Sequence, residues 1–60
     1  MSLAQIRDEF HVPARLGARV TADSLGVDGA ITGSHEDYIA VHLDGLPSHI
    51  YIHPHDLTFH

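Results

Sequence analysis

Residues 38–45 read YIAVHLDG and carry the clearest strand pattern in this chain of 60 residues. Ile39, Val41 and Leu43 alternate with other residues, which is the two-residue period of a strand that buries one face. The Asp-Gly pair that follows is typical of a turn. We therefore predict a strand over residues 38–43, whose apolar face defines the core that the neighbouring segments must share.

Shorter segments with the same period lie on both sides of this strand, and residues that favour turns separate them. Residues 23–29 are predicted to form a loop, residues 34–37 a polar turn, and Pro54 interrupts the last segments because proline cannot donate to a ladder. The predicted strands are Ala18 to Ala22, Ala30 to Thr32, Tyr38 to Leu43, His49 to His53, and Leu57 to Phe59.

Five short strands with turns between them predict a mainly β protein, a small five-stranded antiparallel barrel. A lone sheet of this size would expose an apolar face, whereas closure buries it. We expect one domain over residues 1–60, with the barrel in residues 17–60. A flat three-stranded sheet with a packed helix is the alternative. The expected core is Val20, Ile31, Ile39, Val41, Leu43, Ile50, Ile52, Leu57 and Phe59.

A short helix is predicted within residues 1–12. Ser2 is a candidate N-cap, and Gln5 stands three residues later, in the position of a capping box. The helix must end before Pro13, since the residue preceding a proline is disfavoured in the α region. Such a short helix needs a docking surface. Its apolar face would be Leu3, Ile6 and Phe10.

The composition narrows the classes of function. There is no cysteine, which excludes disulfides and thiolate metal sites. Eight acidic residues against three arginines and no lysine give a formal charge of −5, which argues against nucleic acid as a partner. No apolar run approaches the ~20 residues of a membrane span, and the N-terminus does not look like a signal peptide. We expect a cytoplasmic protein with no membrane partner.

Three stretches together resemble an SH3-like or KOW-like barrel: GARV at residues 17–20, GVDGAITG at 26–33 and YIAVHLDG at 38–45. Such domains have a glycine, a valine strand, a loop, a G-x-I motif and a V-x-L-D-G strand in that order. They typically have a one-turn 3₁₀ segment before the last strand, where Pro54-His55-Asp56 stands here. The resemblance implies an interaction module or, by analogy with KOW domains, a nucleic-acid-binding protein.

The stretch FHVPARLGARV, residues 10–20, more narrowly resembles short proteins of actinobacterial phages and prophages. Those proteins carry Y-G-V-P-A-x-x-G-x-R-V and end in H-P-x-D-L-T, and the likeness spans residues 6–60. His11 stands where they usually have glycine, and this chain is less basic. The resemblance implies a non-enzymatic module that binds protein or self-associates, in the host cytoplasm if a phage encodes it.

Four histidines lie within residues 49–60, and their side chains could bind a metal ion or a proton. On a strand, His49 and His53 lie about 13 Å apart at ~3.3 Å per residue, too far to share one zinc ion with bonds of ~2.0–2.1 Å. Across strands, the two apolar faces must point into the same core. Every pairing that satisfies this condition sets His42 opposite His49, Tyr51 or His53. We therefore predict an outward interaction face of His42, His49, Tyr51 and His53.

A metal-binding or pH-responsive module is the alternative function, with His42, His49 and His53 as candidate ligands. Two histidines alone make a weak site, so a third ligand would come from Glu36, Asp44 or another chain. No cofactor is expected beyond adventitious zinc or nickel. The simpler interpretation is that these histidines form an exposed polar face of the strands that has no function.

No enzyme activity is expected. The serines all lie in predicted turns, and so small a barrel lacks room for a deep pocket of the ~300–1,000 Å³ typical of small-molecule sites. We therefore expect no small-molecule substrate. Arg15 and Arg19 would form one small basic patch, unless they make salt bridges to Asp8, Glu9 or Asp23, which is the more common outcome for surface charges.

Overall fold

The chain forms a helix followed by five strands in a computed structural model that describes all of residues 1–60. A 3₁₀ turn immediately precedes the last strand, as the resemblance to SH3-like domains implies. The elements are α1 (Leu3–Phe10), β1 (Arg19–Ala22), β2 (Val27–His35), β3 (Tyr38–Leu43), β4 (Ile50–Ile52), the 3₁₀ turn (Pro54–Asp56) and β5 (Leu57–Phe59).

All five strands belong to one antiparallel sheet with the order β4-β3-β2-β1-β5. The mainly β class and the strand count are confirmed, and the three-stranded alternative is wrong. The predicted closure into a barrel is absent, because β4 and β5 are separate edges. Both edge strands have only three residues, and the turn that starts at Pro54 directs β5 onto β1 rather than onto β4.

Strand β2 is much longer than predicted. It runs for nine residues, Val27–His35, where the sequence predicted only Ala30 to Thr32. Its glycines and Asp28 favour turns, but β2 pairs with β1 on one side and β3 on the other, and this pairing outweighs local preference. A register shift between Ile31 and Gly33 marks a β-bulge, which lets the long strand bend.

The core lies on the inward face of the sheet, and its centre is as predicted. Ile50, Ile52 and Phe59 are only half-buried, because they belong to edge strands. Two small residues that the prediction omitted, Ala14 and Ala22, are also buried. The buried core is Ile6, Ala14, Val20, Ala22, Ile31, Ile39, Val41, Leu43 and Leu57.

Helix α1 begins at the predicted capping box. The backbone N–H of Gln5 donates to Ser2 Oγ at 3.2 Å, and the backbone N–H of Ser2 donates to Gln5 Oε1 at 2.7 Å. Ile6 is fully buried, so the helix docks its apolar face on the core as expected. The Ser34 hydroxyl donates to the Met1 carbonyl at 2.7 Å and ties this end of the chain to β2. No helix is long and apolar enough to cross a membrane.

Gly29 is the tightest point of the sheet. It is buried in β2 between Val20 of β1 and Leu43 of β3. A Cβ atom there would lie 2.6 Å from the His42 carbonyl oxygen and 2.9 Å from Leu43 Cα. Both are backbone atoms, so the strands themselves would have to move apart.

We predict that Gly29→Ala lowers the free energy of unfolding by about 1–3 kcal/mol, because the methyl group overpacks the junction of three strands. Urea denaturation followed by circular dichroism measures this. Gly33→Ala is the matched control in the same strand, since a Cβ at Gly33 would meet nothing within 4 Å and its φ is not positive. Equal stability of the two variants would contradict the close approach at Gly29.

Candidate functional site

The predicted interaction face lies on the outer side of β3 and β4. Ile39 pairs with Ile52, Ala40 with Tyr51, and Val41 with Ile50. This is one of the predicted registers, and one further step along it sets His49 opposite His42. The ladder itself ends at Ile50, so His49 lies in the segment that leads into β4.

A shallow, open depression of about 300 Å³ lies where these two histidines meet the outer side of β2. Its volume is at the lower limit of small-molecule sites. It lies outside the sheet rather than within a barrel, and it contains no carboxylate. The lining residues are Thr32, His42, Pro47, Ser48 and His49.

His42 is held by the loop that joins β3 to β4. Its Nε2 lies 2.8 Å from the carbonyl oxygen of Leu46. A carbonyl oxygen can only accept, so the His42 Nε2 carries a hydrogen. In the neutral imidazole, the lone pair is therefore on Nδ1. The loop thus fixes both the tautomer and the orientation of this side chain.

Tyr51 lies between two imidazole rings on the outer face. Its hydroxyl is 3.2 Å from His49 Nε2, and the Tyr51 ring centroid lies 5.2 Å from that of His49 and 5.5 Å from that of His35. Ala40, the partner of Tyr51 in the ladder, is only 5% exposed although it is on this outer side. We call His35, His42, His49 and Tyr51 the outer patch.

His35 was missed by the sequence analysis, which assigned it to a polar turn. The structure places it at the end of β2, paired with Tyr38. Its position follows from the unexpected length of β2 and from the bulge near Gly33. The His35–Tyr51 contact spans three strands, so no periodicity within one segment of the sequence predicts it.

His53 lies in a different environment from the other three predicted residues. Its ring centroid is 5.3 Å from that of Phe10, 5.1 Å from that of His55 and 6.2 Å from that of Tyr38. Its Nδ1 accepts the backbone N–H of His55 at 3.1 Å and so caps the 3₁₀ turn. This half-buried ring therefore joins α1 to the turn that precedes β5.

The candidate metal ligands His42, His49 and His53 are not brought together. No three histidine, aspartate or glutamate side chains are grouped so that they could hold a metal ion. Pro54 ends β4 next to His53, and that ring packs against the helix instead of on the outer patch. Asp44, a proposed third ligand, forms an ion pair with Arg19.

Arg15 and Arg19 do not form the predicted basic patch, because Arg19 is paired with Asp44. Arg19 donates to both carboxylate oxygens of Asp44, at 3.3 and 2.6 Å. The predicted acidic partners were Asp8, Glu9 and Asp23, whereas the observed partner follows β3. The hydrogen bond from Arg19 lowers the pKa of Asp44, and the same bond raises the pKa of Arg19. Arg15 is exposed.

A second polar cluster joins β1, β2 and the end of β5. The Thr21 hydroxyl donates to Asp28 Oδ1 at 2.5 Å and lies 2.6 Å from His60 Nε2. In a catalytic triad the imidazole lies between the carboxylate and the hydroxyl, where it can accept the proton. Here the hydroxyl is in the middle, so the cluster ties the strands together and does not activate Thr21.

We predict that Arg19→Gln raises the pKa of Asp44 toward its ordinary value, because the charged hydrogen bonds are lost. The pair stabilises the fold above the unfolded-state pKa of Asp44, and this contribution is lost as the pH falls through the lower folded-state value. A carboxyl NMR titration measures the midpoint. Arg15→Gln is the control and should leave it unchanged; an equal midpoint in the wild type and Arg19→Gln would contradict the ion pair.

We predict that His53→Ala lowers the free energy of unfolding by about 2 kcal/mol, because it removes a turn cap and a ring that packs on Phe10. His49→Ala, which removes an exposed histidine, should cost less than about 0.5 kcal/mol. Urea denaturation compares them. Equal losses would show that His53 has no special role in attaching the helix.

Comparison of the chain with protein-family profiles, with curated proteins and with solved structures found no match in any of the three. The functional assignment therefore rests on the residues and geometry described above.

Proposed function

We propose that this protein is a non-enzymatic interaction module with an SH3-like fold that binds protein through the outer patch. The strand order supports the fold assignment. β1 to β4 follow one another in the sheet, and β5 returns after a 3₁₀ turn to pair with β1. This arrangement agrees with the resemblance of residues 17–20, 26–33 and 38–45 to SH3-like domains.

The observation that carries the proposal is the position of Tyr51. Tyr51 is 52% exposed, yet it contacts His35 and His49, and His49 lines the open depression together with His42. Aromatic residues are enriched in protein interfaces, where they provide a large apolar area and a hydroxyl for hydrogen bonding. A tyrosine already supported by its neighbours loses little conformational freedom on binding.

The adjacent edge of the sheet supports the same role. β4 pairs only with β3, so the backbone groups on its other side are free to pair with another chain. Addition of a strand to an exposed edge is a recurrent mode of peptide recognition. A partner that reached both β4 and the outer patch would combine backbone hydrogen bonds with side-chain contacts.

A protein partner is favoured over nucleic acid by the distribution of charge. The chain has a formal charge of −5, and Arg19, half of the candidate basic patch, is neutralised by Asp44. Phosphate backbones require clustered free cations. The resemblance to actinobacterial phage and prophage proteins supports a cytoplasmic location, which is the host cytoplasm if a phage encodes this protein.

We predict that Tyr51→Ala weakens capture of the partner. Immobilised wild-type protein is incubated with an actinobacterial lysate, the retained proteins are identified by mass spectrometry, and the affinity of each purified candidate is then measured. For a true partner, the Tyr51→Ala variant should bind at least about tenfold more weakly, as is typical of a central aromatic residue.

Leu25→Ala is the matched control, because Leu25 is an exposed apolar residue, 57% accessible, in the turn between β1 and β2. It should bind like the wild type. A partner that binds Tyr51→Ala as tightly as the wild type would exclude the outer patch as its site.

A further inference from the structure

We propose that a second copy of this chain is one partner of the outer patch, and that a divalent zinc ion held by His42 and His49 of both copies joins them. This inference rests on the proposed function and names a partner for the same surface. It replaces the candidate set that included His53, since that ring packs on Phe10.

The hydrogen bonds of the two histidines are compatible with metal ligation. Ligand imidazoles in metalloproteins donate their second N–H to a carbonyl, carboxylate or water, which orients the ring. His42 makes this bond to the Leu46 carbonyl through Nε2 and leaves Nδ1 with a lone pair. His49 can do the same by donating from Nε2 to the Tyr51 hydroxyl, 3.2 Å away, which also leaves its Nδ1 free.

The register and the open depression place His42 and His49 on the same side of the sheet. Continued by one residue beyond the Val41–Ile50 pair, this register sets His42 opposite His49. Both rings line the same open depression, together with the hydroxyl-bearing Thr32 and Ser48. One chain therefore presents two imidazoles from the same side of the sheet.

Two imidazoles are half of a closed zinc site. Zinc in structural sites is almost always four-coordinate and tetrahedral, and this chain groups no third ligand with the pair. A second copy related by a twofold axis through the ion would supply two more imidazoles, and the interface would pair each patch with itself. The site is incomplete without that copy.

Electrostatics favours a cation at this interface. Each copy has a formal charge of −5, so two copies repel each other on approach. The depression has no carboxylate in its lining. Two acidic side chains lie near the outer patch: Glu36 is 3.8 Å from His35, and Asp44, which is paired with Arg19, is close enough to His42 for their charges to interact. A divalent ion between the patches offsets part of this repulsion.

The experiment is sedimentation velocity at several protein concentrations, first with a chelator and then with increasing zinc chloride. We expect zinc to double the mass of the wild-type protein, with one zinc bound per two chains by mass spectrometry under native conditions. His42→Ala and His49→Ala should each abolish the dimer. Tyr51→Phe, which removes the hydroxyl that orients His49, should weaken zinc-dependent dimerisation on the order of tenfold.

His60→Ala is the control, because His60 follows β5 and contacts Thr21 on β1, away from the outer patch. It should dimerise with zinc like the wild type. Zinc that leaves the protein monomeric, zinc bound at one ion per chain, or a zinc dimer that survives His42→Ala would each overturn the inference.

Failure of this inference is distinct from failure of the proposed function. If zinc has no effect but Tyr51→Ala still loses a captured partner in the presence of chelator, the outer patch binds a different protein and only the zinc-bridged dimer is excluded. If Tyr51→Ala and the wild type capture the same proteins equally, the patch fails as a binding surface for other proteins, whatever zinc does.

Discussion

Burial of one face of β3 is the constraint on which the rest of this structure depends. Ile39, Val41 and Leu43 are completely buried, and β3 has a paired strand on each side. Because successive side chains on a strand point to opposite faces, this burial forces His42 outward and sets the register of the returning β4. The outer patch is therefore a consequence of core packing, although none of its members belongs to the core.

The histidines of this chain occupy two kinds of environment, which differ in the neighbours of each ring. His53 has an engaged Nδ1 and two aromatic neighbours, Phe10 and Tyr38, so it attaches the helix to the sheet. His42 and His49 lie over an open depression. A half-buried ring with a backbone partner is positioned for stability, whereas exposed rings that border a depression are available for binding.

The small size of this domain bears on the proposed binding role. A domain of about 60 residues buries only about 60% of the surface of its unfolded chain, so its stability is marginal and an additional interface contributes substantially. The sheet ends in two short edges, β4 and β5, and β4 adjoins the outer patch. Association through this side would cover an edge as well as the exposed tyrosine, which links the stability of the fold to the proposed binding role.

Local patterns were sufficient for the elements whose own residues determine their structure. The capping box at Ser2 predicted the start of α1, the alternation around Val41 predicted β3, and Pro54 predicted the break before the last strand. Because the apolar faces of β3 and β4 must both point inward, the sequence also restricted the residues opposite His42 to three. The observed register is the one that sets His49 opposite His42, one step beyond the last pair of the ladder. These predictions succeed because capping, pleating and the missing proline N–H depend on a few adjacent residues.

Features that depend on contacts between distant segments of the chain could not be predicted from the sequence. The full length of β2, with Asp28 and two glycines in it, reflects pairing with strands on both sides, and it brought His35 beside Tyr51. The sequence by itself determined which faces are buried and which histidines can face outward, since these follow from strand period. Only the tertiary structure decided that the sheet stays open, because this depends on how strands from distant parts of the chain pair. It also decided that Arg19 pairs with Asp44 and that His53 packs on Phe10 and not in the outer patch, because each contact joins side chains from separate elements.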